Sequence, residues 1–397
     1  MNQPSDFVSA KQAVKLLGVR LPTLYAYASR GLVTSVPSGE GRVRLYSRAD
    51  LLRLRARRDA RGGHAAVASG ALRWGEPVLE SSITEIGADG PRYRGHLAVE
   101  LARHGTPFES VCALLWTGAL PAERPEMRSA DPIARNAGAT TWVERLLCVA
   151  PTLAPGDPLC APLANAGKLV RTLAVALAPD PRHAASAARA STVARAALAS
   201  FGVEATERRV AGVEQALVLC ADHELNVSAF AARVVASAGA TLPACITAAL
   251  AAFSGPAHGA ASDRVEALLD EVGSPARARA VLAERVRRGE ALAGFGHPLY
   301  PAGDPRGAQL LAVARATRTR SPRLKLLDAV VRAMHAAEQP APNLDAGLVA
   351  VRIALGLPLG AASALFALGR SAGWVAHALE QREQGFLLRP RARYVAK

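Results

Sequence analysis

Apolar residues recur along most of this chain at the three-to-four spacing of a helix face, and short knots of Gly, Pro and polar residues separate the runs. Leu97, Val99 and Leu101, then Val111, Leu114 and Leu115, predict two amphipathic helices after a turn at Ala88-Asp89-Gly90-Pro91. Val210 to Cys220, Val227 to Ala238, Leu242 to Phe253 and Leu348 to Leu357 are apolar enough for buried helices. Between residues 130 and 220 the pattern is Ala-rich and broken at Pro151, Pro155, Pro158, Pro162, Pro179 and Pro181, which predicts shorter helical pieces devoted to packing. Trp142 and His183 in that region read as structural. Strand signals are few: Ile83 to Ile86, and two brief segments between Val33 and Tyr46. The fold class predicted is all-α.

The first sixty residues follow a different rhythm. Ser9 is placed to cap a short helix that runs through Leu17 and stops at Gly18, and Pro22-Thr23 opens a second that runs to about Arg30, with Gly31 as its stop. Two short helices with a tight glycine-containing link make a helix-turn-helix. Ser38-Gly39-Glu40-Gly41 then turns between two strands as a wing, and Ala49 to Arg58 is a basic helix. The Leu17-Gly18-Val19 turn, the Thr23-Leu24-x-x-Tyr27 helix and the Arg44-x-Tyr46 strand resemble the DNA-binding domain of MerR-type and excisionase-type regulators. The resemblance implies that Arg20, Thr23, Tyr27 and Arg30 approach the groove, that Arg42 and Arg44 touch phosphates, and that DNA is a partner. The domain is bounded at 1–60, with a small-residue linker over 61–72.

Charge sharpens that division. The 397 residues carry a net +15, and residues 1–61 hold twelve Lys/Arg against four Asp/Glu, a net +8. Almost all the basic residues are Arg; lysine occurs only at Lys11, Lys15, Lys168, Lys325 and Lys397. The five cysteines, Cys112, Cys148, Cys160, Cys220 and Cys245, lack paired metal spacing and read as reduced, buried thiols, with no metal expected. Apolar runs such as Ile246 to Phe253 fall well short of the roughly 18 to 20 residues that span a bilayer. The N-terminus has no basic flank and apolar core of a signal peptide. The expectation is a cytoplasmic protein with no membrane partner.

The polar knots hold the candidate chemistry. Gly294 to Gly307, GFGHPLYPAGDPRG, is too rich in Gly and Pro for a helix interior, so it is a held loop. His297 is a hydrogen-bond donor to a carbonyl and Arg306, nine residues on, a bidentate carboxylate clamp; the pair suits a small, doubly acidic keto substrate. Asp222-His223-Glu224-Leu225-Asn226 and Ser254-Gly255-Pro256-Ala257-His258-Gly259 interrupt apolar helices. His258 precedes a helix starting near Ala260 whose positive end keeps the imidazole neutral. Asp345, in Pro342-Asn343-Leu344-Asp345, stands where an apolar helix begins, a place often filled by a mere cap. Taken singly, His223 is more often a satisfied core histidine.

Together, DHELN, GPAHG, GFGHPLYPAGDPR, PNLD, GRSAGWVAH and RPR follow one another as in the citrate synthase family, which the chain resembles from about Ser82 to its end. The Tyr93-Arg94-Gly95 turn and Leu114 to Pro121 add to the likeness. The resemblance implies a large helical domain (73–258 and 359–397), a small one (259–358), and a homodimer with its site in the interdomain cleft. It implies that Asp345 removes a methyl proton from acetyl-CoA while His258 donates to the thioester oxygen, and that His297 polarises and protonates the keto oxygen of oxaloacetate. His223, Arg306, Arg370 and Arg389 hold the two carboxylates, Arg389 from the other subunit, and Gly294, Phe295 and Gly296 lie against the CoA adenine. Citryl-CoA is then hydrolysed to citrate and CoA, with no cofactor beyond the co-substrate. Three positions depart from the family pattern: Ser262 where Asn is common, Pro298 where Arg is common, and Ala346 where Phe is frequent. They leave acetyl-CoA and propionyl-CoA, hence citrate and 2-methylcitrate, both open. A DNA-binding regulator with a citrate-synthase-like sensor is the alternative from another class.

Overall fold

The computed structural model describes residues 7–37, 44–48, 50–51, 54, 79–127, 138–154, 162–259, 261–317, 320–390 and 394. It divides into two units, Met1–Glu80 and Ser81–Lys397. In the first, strand β1 (Phe7–Ser9) leads into helix α1 (Ala10–Leu17), followed by α2 (Leu21–Ser29), β2 (Ser35–Pro37) and β3 (Arg44–Ser47). Ser9 and Gln12 form a reciprocal cap: the Gln12 N–H donates to Ser9 Oγ at 3.3 Å and the Ser9 N–H to Gln12 Oε1 at 3.0 Å. Gly18 ends α1 in the left-handed conformation, φ 60°. The two expected strands of the wing are present, and β3 also pairs with β1, Val8 opposite Tyr46, in the antiparallel order β1–β3–β2. Strand β1 was not expected from the sequence; three residues give too little alternation to read. Ala13, Leu17, Leu24, Val33, Tyr46 and Leu51 form this unit's own core. Of the expected 49–58 helix, Asp50, Leu51 and Leu54 are described, and are helical, as is Arg48 before it.

The second unit is helical apart from a small meander, β4 (Thr84–Gly87), β5 (Gly90–Tyr93) and β6 (His96–Leu97). Its helices are α3 (Ala98–Arg103), α4 (Phe108–Thr117), α5 (Trp142–Val149), α6 (Pro162–Ala176), α7 (Pro181–Arg189), α8 (Val193–Ser200), α9 (Glu207–Cys220), α10 (Val227–Ser237) and α11 (Leu242–Phe253). They continue with α12 (Ala261–Val272), α13 (Ala278–Arg287), α14 (Pro305–Ala316), α15 (Pro322–Ala336), α16 (Leu344–Leu355) and α17 (Ala361–Gln384). The all-α class holds. One apolar core runs from Ile83 to Ala378. Its axis is α17, 24 residues long and buried on nearly every side, as a helix without a polar face must be.

Two contacts of this unit set the site. Helices α14 and α16 cross at glycines: a Cβ on Gly347 would lie 3.0 Å from the Gly307 carbonyl oxygen, and one on Gly307 would run into the Asn343 carbonyl. Helix α12 is locked to α16 by the buried Glu266, which accepts from Arg352 Nε and Nη2, both at 2.8 Å. No helix among the described residues is long and apolar enough to cross a membrane.

Candidate active site

The histidines, Arg306 and Asp345 stand at or beside a loop that feeds a helix N-terminus. Before α10, the Asn226 side chain caps by accepting the Ala229 N–H at 3.1 Å. His223 is buried, its Nε2 2.9 Å from the Tyr300 hydroxyl and its ring 5.1 Å, centroid to centroid, from that of His297. Before α12, His258 Nε2 lies 2.8 Å from Ser228 Oγ, which also accepts the Trp374 indole N–H at 2.9 Å. Ser228 Oγ also lies 2.7 Å from the acceptor Asn226 Oδ1, so its single proton serves either that oxygen, with His258 Nε2–H donating to Oγ, or Nε2, which leaves the ring proton of His258 on Nδ1.

Before α14, the loop is stitched to the strand-like segment ahead of α16. The Gly296 N–H donates to the Ala341 oxygen and the Asn343 N–H to the Gly294 oxygen, both at 2.8 Å, and Asn343 Nδ2 donates to the Gly296 oxygen at 3.1 Å. His297 Nδ1 accepts the Leu299 N–H at 3.1 Å, which puts the ring proton on Nε2. Asp304 takes Arg306 Nε at 3.0 Å and Nη2 at 2.9 Å, and the same carboxylate accepts the Leu344 N–H of α16 at 3.1 Å. One buried acid thus staples two helix ends and aims the guanidinium. At α16 the helix starts four residues ahead of the expected Leu348, because Asn343 is the cap: its Oδ1 accepts the Asp345 N–H at 3.0 Å. Asp345 has no capping duty, and its Oδ1 accepts from the Ser262 hydroxyl at 2.7 Å. Arg370, buried in mid-α17, donates from Nε to the Cys220 oxygen at 2.7 Å and lies 4.9 Å over the Phe366 ring.

The electrostatics tie these groups into one place. Burial, then the charges of Arg306 and Arg370 and the neighbouring rings of His297 and His258, push His223 well below the usual imidazole range. Burial and Arg370 bring His258 down to about 4, and burial and Arg306 bring His297 down to about 4. All three histidines are therefore neutral at pH 7. Asp345 moves the other way: burial lifts it to about 6, against the pull of the Ser262 hydroxyl and Arg306. Burial opposes the charge on Arg306, but Asp304 more than offsets it. The result is three neutral imidazoles, a basic carboxylate and two cations, of which His258, Arg306 and Asp345 stand at or next to the positive ends of α12, α14 and α16.

Not every expected residue joins this set. Arg389 is exposed and shares no hydrogen bond with it among the described residues. Three polar groups of Gly294 and Gly296 are already taken by residues 341–343, so they offer a ligand surface and shape. In the N-terminal unit, Arg20 and Arg30 are exposed and Thr23 is half-buried. Tyr27 packs against the unit's core, and Tyr25 is the exposed aromatic of α2. Arg44 donates to Ser35 Oγ at 3.0 Å, and Arg42 lies outside the described residues. Ser228, Tyr300 and Asp304 were not singled out from the sequence. Their only signals were position: the first turn after the DHELN knot, three residues after His297, and an acid ahead of a helix-opening Pro.

Residues 71–173 and 162–391 match the family model described as "Citrate synthase, C-terminal domain". The citrate synthase of Haloferax volcanii is 30% identical over 365 residues, 81% of this chain and 94% of that protein. The chain belongs to the citrate synthase family. "Putative citrate synthase 2" of Mycobacterium tuberculosis is 38% identical over 212 residues, 52% of this chain, and the chain spans little more than half of that relative's length, 56%. Among solved structures, the citrate synthase of Thermoplasma acidophilum in ternary complex with carboxymethyl coenzyme A and oxaloacetate has a TM-score of 0.67 at 25% identity, over 81% of this chain and 94% of that one. Residues 8–62 match the model "MerR HTH family regulatory protein", so a helix-turn-helix unit precedes the citrate synthase portion.

Proposed function

We propose that the chain condenses acetyl-CoA with oxaloacetate and releases citrate and CoA. Asp345 takes a proton from the methyl carbon, and the electron pair left behind is delocalised onto the thioester oxygen, which accepts from the ring N–H of His258. The carbon attacks the keto carbon of oxaloacetate as His297 Nε2–H donates to the developing alkoxide. Arg306, Arg370 and His223 hold the carboxylates, with Arg389 of a second subunit completing the set in a homodimer. Gly294, Phe295 and Gly296 lie along the CoA adenine. Water then cleaves the thioester. No metal or cofactor takes part.

The observation that carries this reading is Asp345 itself: a carboxylate relieved of capping by Asn343, with its basicity raised by burial. Purified protein given oxaloacetate and acetyl-CoA is expected to release CoA thiol. Absence of release, or release undiminished in Asp345→Ala, would falsify the reading. Propionyl-CoA differs by one methylene, about 1 to 3 kcal/mol of discrimination, so 2-methylcitrate synthesis is tested by the same assay.

The basic N-terminal unit and its match to MerR regulators favour a second role, DNA binding governed by ligands of the catalytic portion. A promoter fragment should be retarded in a salt-dependent way, and truncation of residues 1–61 should abolish the shift.

A further inference from the structure

Ser262 is fully buried on the first turn of α12. A helical serine commonly returns its proton to the carbonyl four residues back. Here the hydroxyl goes across to another helix, donating to Asp345 Oδ1 at 2.7 Å. The two helices are held in register by the Glu266–Arg352 pair, one turn further on along α12 and two along α16, so the meeting of hydroxyl and carboxylate is built in. Asp345 Oδ2 has no hydrogen-bond partner among the described residues.

We infer that Ser262 is a positioning residue for the condensation: its hydroxyl fixes one oxygen of Asp345 so that the other is presented to the substrate's methyl carbon. The inference rests on the function proposed above. Its physical content is selective. A hydrogen bond to the ionised form favours that form, so Ser262 keeps the half-buried base deprotonated at neutral pH as well as aimed. The other groups facing Asp345 are Arg306 and Asp304 at the start of α14, Arg264 on α12 and the Cys220 thiol at the end of α9. Burial raises the thiol to about 12, so it stays neutral, and with Asp304 held below and Arg306 above its ordinary range neither of those changes charge between pH 5 and 9. The titration in that window belongs to Asp345.

The test is the pH profile of thiol release by the full chain, with saturating oxaloacetate and either acyl-CoA. Ser262→Ala should lower kcat about tenfold or more and move the acid limb of kcat/KM up by about one pH unit, while KM for oxaloacetate stays within about twofold. Ser262→Thr, which keeps the hydroxyl, should restore the wild-type limb, which a purely structural contact would not do selectively. An acid limb unmoved in Ser262→Ala, in a wild type that turns over, overturns this inference alone. A wild type that turns over neither acyl-CoA overturns the condensation reading and this inference with it.

Discussion

Asp345 and Glu214 show how burial gives two carboxylates opposite consequences. In the proposed reaction the ionised form of Asp345, whose pKa is raised to about 6, is the working one, so kcat/KM should climb as pH rises through about 6 and level off above it. Asp345→Asn should remove that limb together with most of the turnover. Glu214, lifted by burial and by the charge of Glu109 to about 7, serves the architecture instead, accepting the Phe108 N–H at 2.8 Å and pairing with Arg124 at 3.0 Å. Its folded-state pKa lies above the ordinary 4.5, so the stability it confers is complete below about 4.5 and is lost as pH rises through about 7. Glu214→Gln should flatten the fall of Tm between about pH 4.5 and 7; an unchanged slope would assign that fall to other groups. Tyr300 belongs to the same scale. Tyr300→Phe removes the partner of a buried His223 nitrogen, and KM for oxaloacetate should rise about tenfold with a smaller change in kcat.

At the scale of elements, the chain was most legible where apolar periodicity and caps agree. Leu242 to Phe253 was read to the residue, since Thr241 and Pro243 punctuate its start and Ser254-Gly255-Pro256 its end. Legibility failed where a partner distant in sequence decides: β1 exists because Tyr46 lies opposite Val8, and α16 begins early because Asn343 caps it. The motif order announced His258, His297 and Asp345, but not Ser228, Tyr300 or Asp304, whose roles exist only across helix pairs. The α14–α16 crossing gives the sharpest test here. Gly307→Ala would press a methyl group against the Asn343 backbone, costing about 1 to 3 kcal/mol. Urea unfolding should register that loss, and the accompanying shift of Arg306 against Asp345 should cut turnover further than the stability change explains.

At the scale of the molecule, the two units have separate cores, Leu24 and Tyr46 in one, α17 and its neighbours in the other. Residues 81–397 alone should therefore fold and release thiol at close to the full-length rate; a large loss would show that the N-terminal unit takes part in turnover. Within the second unit, the carboxylate of Asp304 links parts that chemistry uses for different ends. It grips the Arg306 guanidinium, proposed to hold the keto acid, and, through Leu344, the helix that carries Asp345, the proposed base. Tugging on either therefore drags its companion along, so in the proposed reaction the grasp of one reactant and the attack on the other are geared together, and Asp304→Asn is the change that would let them slip.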